Sequence, residues 1–205
     1  MFSEIKLAFR ENKRAIYISI AIMLISLILG YVLKSYVYDY LNPVVDELTQ
    51  KVKTGVIKVT FTDIFYNNLN VILMMFLLGV VFCISALILA FNGFFVGYYV
   101  GISDNLVQVL LYIIPHGIFE FSSCILACAA SFVLFNCLYN FLKTFIRDED
   151  ESIINGLKNS FSLVYVKLEQ ALILFGVSVI LMVIAGVIEA YLTIPIAQYL
   201  ISVLG

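Results

Sequence analysis

The sequence predicts an all-α integral membrane protein, a bundle of about five transmembrane helices with one amphipathic helix at the interface. Of the 205 residues, 63% are hydrophobic and only 13% are charged, and the mean hydropathy is +1.06. A soluble domain carries about a quarter charged residues, so this chain has too few charges to cover a water-facing surface. The net charge of −2 gives no basic field for nucleic acid. We expect a single transmembrane domain over residues 1–205.

Long apolar runs define the expected helices. A helix needs about 20 apolar residues to cross a bilayer core about 30 Å thick. Five runs predict spans, over residues 15–33, 69–91, 93–114, 118–142 and 171–192. Ser103, Asp104 and Asn105 interrupt the third run. That run is therefore either a full span or a re-entrant hairpin.

Basic residues favour five spans and indicate an orientation. With the N-terminus in the cytoplasm, five spans leave eight basic residues inside and four outside, as the positive-inside bias requires. The inner residues are Lys6, Arg10, Lys13, Arg14, Lys143, Arg147, Lys158 and Lys167, and the outer ones are Lys34, Lys51, Lys53 and Lys58. A re-entrant third run would reverse this balance. We expect a protein of the cell membrane with its N-terminus cytoplasmic and its C-terminus outside.

The segment 36–58 predicts an amphipathic helix at the outer interface. Its apolar residues recur at close to helical spacing, and Asp46, Glu47, Lys51 and Lys53 occupy the remaining face. Such a helix packs on the bundle or lies in the lipid headgroups.

Glycines, asparagines and a proline predict close helix contacts and chain turns. Gly93, Gly97 and Gly101 are spaced four apart and share one helix face, where a second backbone can approach closely. This face is either a packing contact within the chain, which we favour, or a seam between copies in an oligomer. Turn or capping roles are predicted for Asn67, Asn68, Asn92, Pro115 and Gly117.

Four ionisable residues in apolar surroundings form the candidate polar site. Pro115 would open a helix in which His116 and Glu120, at positions i and i+4, share one face. Such a pair could relay protons or bind a cation, or it could simply satisfy helix ends, which we favour. Asp104 and Glu189 are expected near the same membrane face. One His and one Glu fall short of a metal's usual ligands, so neither a metal nor a cofactor is predicted.

Four segments resemble, in order, the recurring segments of the stage II sporulation protein M family, including its archaeal members. They are FTDIFYNNLNVILMMFLLGVVF, LILAFNGFFVGYYVG, IIPHGIFEFSSCILACAASF and AGVIEAYLT, and together they cover about residues 61–193. The resemblance implies a multi-pass membrane protein without an established biochemical activity. In spore-forming bacteria the family's namesake acts during engulfment beside cell-wall-degrading partners, as a membrane component and not as the hydrolase.

The sequence leaves two functions open. The first is a membrane scaffold or complex subunit without its own catalysis, which forms a homo-oligomer, most simply a dimer, and contacts other membrane or cell-envelope proteins. The second is a small transporter or channel with a path lined by His116, Glu120, Asp104 and Glu189. An enzyme is not expected, because no Ser-His-Asp or Cys-His arrangement and no nucleotide-binding loop is present in the sequence.

Overall fold

The prediction of an α-helical membrane bundle is confirmed. A computed structural model describes residues 2–54, 60–147 and 153–204, and within these ranges the chain forms helices and no strand. The helices are α1 (Phe2–Glu11), α2 (Lys13–Val32), α3 (Lys34–Lys53), α4 (Phe61–Leu77), α5 (Phe82–Ile102), α6 (Leu106–Arg147), α7 (Ile153–Tyr191) and α8 (Thr193–Leu204). One 3₁₀ turn, Leu78–Val80, separates α4 from α5.

Four helical segments are long and apolar enough to cross a membrane. They are Lys13–Val32, Ile84–Ile102, Leu106–Ile146 and Gly156–Tyr191. Phe61–Leu77 and Thr193–Val203 are shorter apolar helices. Because α6 has 42 residues, it is roughly 63 Å long, about twice the thickness of a bilayer core. The long helices therefore extend beyond the hydrocarbon.

The predicted span 69–91 is wrong as one helix, because the chain breaks between α4 and α5. Gly79 lies so close to Ser131 of α6 that an added Cβ would meet the Ser131 Cβ at 2.6 Å. The Ser85 hydroxyl donates a 2.5 Å hydrogen bond to the Met75 carbonyl, at the end of α4. This bond satisfies a backbone group that the break would otherwise leave unpaired in an apolar environment. A uniformly apolar run gives no sign of such a break.

The predicted span 93–114 is also wrong. Residues Asn92 and Gly93 lie inside α5, and the real interruption is at residues 103–105. Asn105 ends that interruption as the cap of α6, since its side-chain oxygen accepts a 3.0 Å hydrogen bond from the Gln108 backbone N–H. An asparagine followed three residues later by glutamine is the sequence signal that identifies this helix start.

Helix α6 replaces the predicted span 118–142 and continues through Pro115. Membrane helices tolerate proline because neighbouring groups satisfy the carbonyl that loses its N–H partner. Helix α7 likewise begins at Ile153, well before the predicted residue 171, and ends at Tyr191. The predicted span 15–33 corresponds to α2.

Close contacts fix the relative directions of the main helices. The pairs Cys137–Val164 and Ser123–Ser178 show that α6 and α7 run antiparallel. Gly93 lies against Met23 and Gly97 against Leu27, so α5 runs parallel to α2. Helix α4 is antiparallel to α7, because Phe61 lies near Gly186 while Phe76 stacks on Phe175. Buried apolar side chains from α2, α4, α5, α6 and α7 form the core.

We call the end that holds α1 the N-terminal end, and the other the opposite end. Lys34, just after α2, donates a 2.5 Å hydrogen bond to the Gly101 carbonyl at the opposite end. Helix α3 continues from there as a largely exposed helix, as predicted for the amphipathic segment, and Pro43 lies inside it. Residues 55–58 of the predicted segment lie outside the described part of the chain. Helix α8 packs against α6.

We expect the Gly97→Ala substitution to destabilise the protein. An added Cβ would meet the Leu27 carbonyl oxygen at 2.0 Å, so α2 and α5 would have to separate. Overpacking of this kind costs about 1–3 kcal/mol, which corresponds to a fall of about 2–10 °C in the unfolding midpoint. The chain has no tryptophan, so a thiol-reactive dye that detects exposure of the buried Cys124 and Cys128 is a suitable probe.

The matched control is Gly176→Ala, because an added Cβ there meets nothing within 4 Å. This control should keep or slightly raise the midpoint, since alanine favours helix over glycine. Equal midpoints for the two variants would contradict the close contact between α2 and α5.

Candidate functional site

The candidate site lies where α6 and α7 approach the opposite end of the bundle. His116 and Glu120 lie one turn apart on α6, which the uninterrupted helix through Pro115 places on one face. Glu189 is near the end of α7. Because α6 and α7 are antiparallel, this end of α7 lies beside the first part of α6. The fold thus places Glu189, which is distant in sequence, beside the local pair of His116 and Glu120.

The three side chains offer ligand atoms that all lie within 4.8 Å of one another. The Nε2 atom of His116 is 4.0 Å from a Glu120 carboxylate oxygen. The side chains of His116 and Glu120 are 15% and 27% exposed, so both are largely removed from solvent by the protein itself. These contacts form a compact imidazole–carboxylate–carboxylate group that could hold a proton or a cation.

Thr193 determines how the imidazole is oriented. Its hydroxyl donates a 3.1 Å hydrogen bond to the Ile188 carbonyl, and its oxygen lies 3.2 Å from His116 Nδ1. The hydroxyl has only one hydrogen, so its oxygen accepts from an N–H at Nδ1. Consequently the other ring nitrogen, Nε2, faces Glu120. Sequence reasoning missed Thr193, because a single threonine after an apolar helix carries no signal of its own.

A cavity of about 150 Å³ adjoins His116 and Glu120. It lies between α5 and α6, and its other lining residues are Phe95, Val96, Tyr99, Ile113 and Phe121. This space has room for water or for a small ligand beside the polar group.

Asp104 does not join this group, so the predicted four-residue site becomes a three-residue site. It is exposed in the connection between α5 and α6 and lines two shallow surface cavities. Ten helical steps lead from Leu106, at the start of α6, to His116, which corresponds to about 15 Å along the helix axis and separates Asp104 from the histidine.

The glycine face is covered within the chain. Gly93, Gly97 and Gly101 all lie against α2, and Gly30 of α2 lies against Phe94 of α5. The reciprocal glycines let the two backbones approach closely. This face is therefore not available as a seam between copies.

The predicted turn and capping positions all lie inside helices, and those roles are wrong. Asn67 and Asn68 are within α4, whose actual cap is Thr60, which accepts a hydrogen bond from the Asp63 N–H at 3.3 Å. Asn92 is within α5, and Pro115 and Gly117 are within α6. Local turn propensity does not decide here, because a helix is the arrangement that satisfies the backbone of an apolar segment in a membrane.

A larger groove lies at the N-terminal end, and its volume is about 570 Å³. Its lining residues are Glu11, Asn12, Arg14, Ala15, Ile18, Phe132, Val133, Phe135, Asn136, Tyr139, Asn140 and Lys167. The buried Asn12 holds the start of α2 against α1 and α7 beside the groove. Its side-chain amide donates to the Ala8 carbonyl and to the Gln170 side chain. The sequence did not indicate this groove, because its residues come from four separate helices.

Comparison with known proteins identifies the family. The family model for stage II sporulation protein M matches residues 19–194. Two proteins of Methanocaldococcus jannaschii are similar to the chain. Uncharacterized protein MJ0793 is 35% identical over 71% of this chain and 78% of its own length. Uncharacterized protein MJ0706 is 30% identical over 94% of this chain and 87% of its own length.

No solved structure matches the chain significantly. The family match covers most of the sequence, and it includes His116, Glu120, Glu189 and Thr193 of the polar site. The membrane-spanning helices and this match together make the protein a multi-pass membrane protein. The chain belongs to the stage II sporulation protein M family.

Proposed function

We propose that this protein is a membrane scaffold, a subunit that holds other proteins of the membrane or cell envelope and performs no catalysis itself. The observation that carries the proposal is the extension of α6 and α7 past the N-terminal end of the membrane-spanning bundle. At this end the Glu11–Lys167 ion pair, at 3.7 Å, and the Asn12–Gln170 hydrogen bond mark the level at which α2 begins. Helix α7 starts 14 residues before Lys167, so it extends about 20 Å beyond that level.

The groove beside this extension has the mixed lining expected of a docking surface. It is lined by the polar side chains of Arg14, Asn136 and Asn140 and by the apolar side chains of Ile18 and Phe132. Protein interfaces typically combine an apolar centre with a polar rim. A surface of this composition at the membrane boundary suits a partner helix or loop.

The geometry of the polar site supports a non-catalytic function. Thr193 is the hydroxyl nearest to the single histidine, but it is 5% exposed and directs its hydrogen at Ile188. A nucleophile must instead present its oxygen to substrate and pass its proton to the base. Among the described residues, the hydroxyl that contacts the histidine is therefore placed to hold the backbone and not to attack a substrate.

A homo-oligomer remains part of this proposal. The glycine face is occupied by α2, so a second copy would need another surface, and the groove at the N-terminal end offers one. A dimer with two-fold symmetry is the simplest arrangement. Partners of other sequence would use the same groove.

Transport of an ion or small solute is the second candidate function. It is favoured by the convergence of His116, Glu120 and Glu189, since ionisable groups within membrane helices commonly mark ion pathways. The three groups lie near the opposite end and not at the middle of the bundle, so they would form an entrance or a gate.

We expect the N-terminus in the cytoplasm and the C-terminus outside the cell membrane. Lys143, Lys158 and Lys167 lie on the parts of α6 and α7 nearest the N-terminal end, and Lys34 lies at the opposite end. This placement agrees with the positive-inside bias.

Site-specific crosslinking tests the scaffold function. A photoreactive amino acid at Tyr139, in the groove, should yield adducts with a protein partner in native membranes. The control is Leu24 on α2, which has the same 55% exposure but lies on a membrane-spanning helix away from the groove. Two differently tagged copies of the chain distinguish a self-adduct from an adduct with another protein. If the chain forms no adduct from either position and remains monomeric, the scaffold function is contradicted.

Reporter fusions test the orientation. Green fluorescent protein at the N-terminus should fluoresce, because it folds in the cytoplasm. Alkaline phosphatase at the C-terminus should be active, because it folds only outside the cytoplasm. The reverse pattern would place the groove outside the cell.

Proteoliposomes test the transport function. Under imposed proton and cation gradients, the wild-type protein should give flux above that of protein-free vesicles, and Glu189→Gln should remove it. Asp104→Asn, a carboxylate change at the same end but outside the site, should retain the flux. An absence of flux under every gradient would eliminate this candidate and leave the scaffold unaffected.

A further inference from the structure

We propose that His116, Glu120 and Glu189 form a binding site for a divalent transition-metal cation of the zinc type. The site is at the opposite end of the bundle from the groove, so it goes beyond the scaffold function and does not depend on it. Sequence reasoning counted only the histidine and one carboxylate. The antiparallel packing of α7 on α6 supplies the third ligand.

The three ligand atoms are close enough to converge on one ion. They lie within 4.8 Å of one another. Zinc binds histidine nitrogen and carboxylate oxygen at about 2.0–2.2 Å, so ligands in a tetrahedral site are roughly 3.4 Å apart. Small rotations of the two glutamate side chains would bring the ligand atoms to this shorter separation. The two side chains can rotate independently, because each glutamate belongs to a different helix. Three protein ligands with one open position are typical of an accessible zinc site.

The orientation of the histidine is that of a metal ligand. Its Nδ1 atom donates to Thr193, whose own hydrogen is committed to the Ile188 carbonyl. The lone pair of Nε2 in the neutral ring is therefore directed towards the Glu120 carboxylate, 4.0 Å away. A lone pair and a carboxylate repel each other, whereas a cation between them binds both. Metal-bound histidines usually have their second ring nitrogen fixed by a hydrogen bond in this way.

The charge of the site also favours a cation. Two carboxylates lie together on membrane-spanning helices, where an uncompensated charge is costly. Within the described ranges, the lysine ion pairs are Lys51–Glu47 and Lys167–Glu11, and neither reaches this site. Lys34 is engaged with the Gly101 carbonyl. A divalent ion would balance both carboxylates while leaving the histidine neutral.

The adjoining cavity supplies the remaining coordination position. Its volume of about 150 Å³ is enough for several water molecules, and Glu120 and His116 form its polar side. Tyr99 of α5, which is 41% exposed, lies on the opposite side of the cavity, near the surface.

The test is metal binding by the full chain in detergent. After removal of metals by chelation and dialysis, we expect about one zinc ion per chain by elemental analysis and titration calorimetry. Magnesium should bind much more weakly, because it does not favour an imidazole ligand. X-ray absorption should show nitrogen and oxygen ligands at about 2.0 Å without sulfur, which separates this site from the buried cysteines.

Four variants locate the ion. Glu189→Gln and His116→Asn should each weaken zinc binding about tenfold or more, whereas Asp104→Asn should leave it unchanged. Thr193→Val removes the partner of Nδ1 and should weaken binding about 10-fold to 100-fold while keeping the same ligands. Circular dichroism establishes that each variant is folded before titration.

Two results would overturn the proposal. One is a folded wild-type protein that binds no zinc at micromolar concentration, which would leave the three groups as a proton-sharing cluster. The other is undiminished binding by folded Glu189→Gln, which would make any bound zinc adventitious. Neither result depends on flux or on partner crosslinking, so this proposal and the proposed functions succeed or fail separately.

Discussion

The antiparallel packing of α6 against α7 is the interaction on which the rest of the structure depends. At its centre Ser123 and Ser178 each donate a hydrogen bond to the other's backbone carbonyl, at 2.7 and 2.8 Å. Small buried residues, including Ala127 and Ala171, allow the helices to approach closely. In a membrane this close packing and these hydrogen bonds replace the hydrophobic drive that holds a soluble core together.

The groove and the polar site both follow from this pair of helices. At the opposite end it brings Glu189 to His116, and at the N-terminal end it continues past the other helices and forms one wall of the groove. A substitution in the centre of the pair would thus disturb both ends at once. Substitutions at either end, by contrast, can separate a docking function from an ion-binding function.

The interruption between α4 and α5 shows how this protein covers non-helical backbone within an apolar stretch of its sequence. The turn at Leu78–Val80 lies against Ser131 of α6, and Ser85 satisfies the Met75 carbonyl. Irregular backbone in apolar surroundings is tolerated where it is covered by protein and its polar groups are paired. Gly79 is required there for close approach to α6.

The sequence by itself determined that the protein lies in a lipid bilayer, that it is helical, which family it resembles, and that His116 and Glu120 form a local pair. These follow from composition, from recurring segments and from the i, i+4 spacing, all of which are local properties. The tertiary structure decided where the helices break and which helix covers the glycine face. It also decided that Glu189 and Thr193 lie beside the histidine, whereas Asp104 does not. In a bilayer both the lipid-facing and the buried sides of a helix are apolar, so hydrophobic periodicity no longer reports which side faces a neighbour. Contacts between distant helices, and the turns that permit them, therefore depend on packing that the linear pattern does not record.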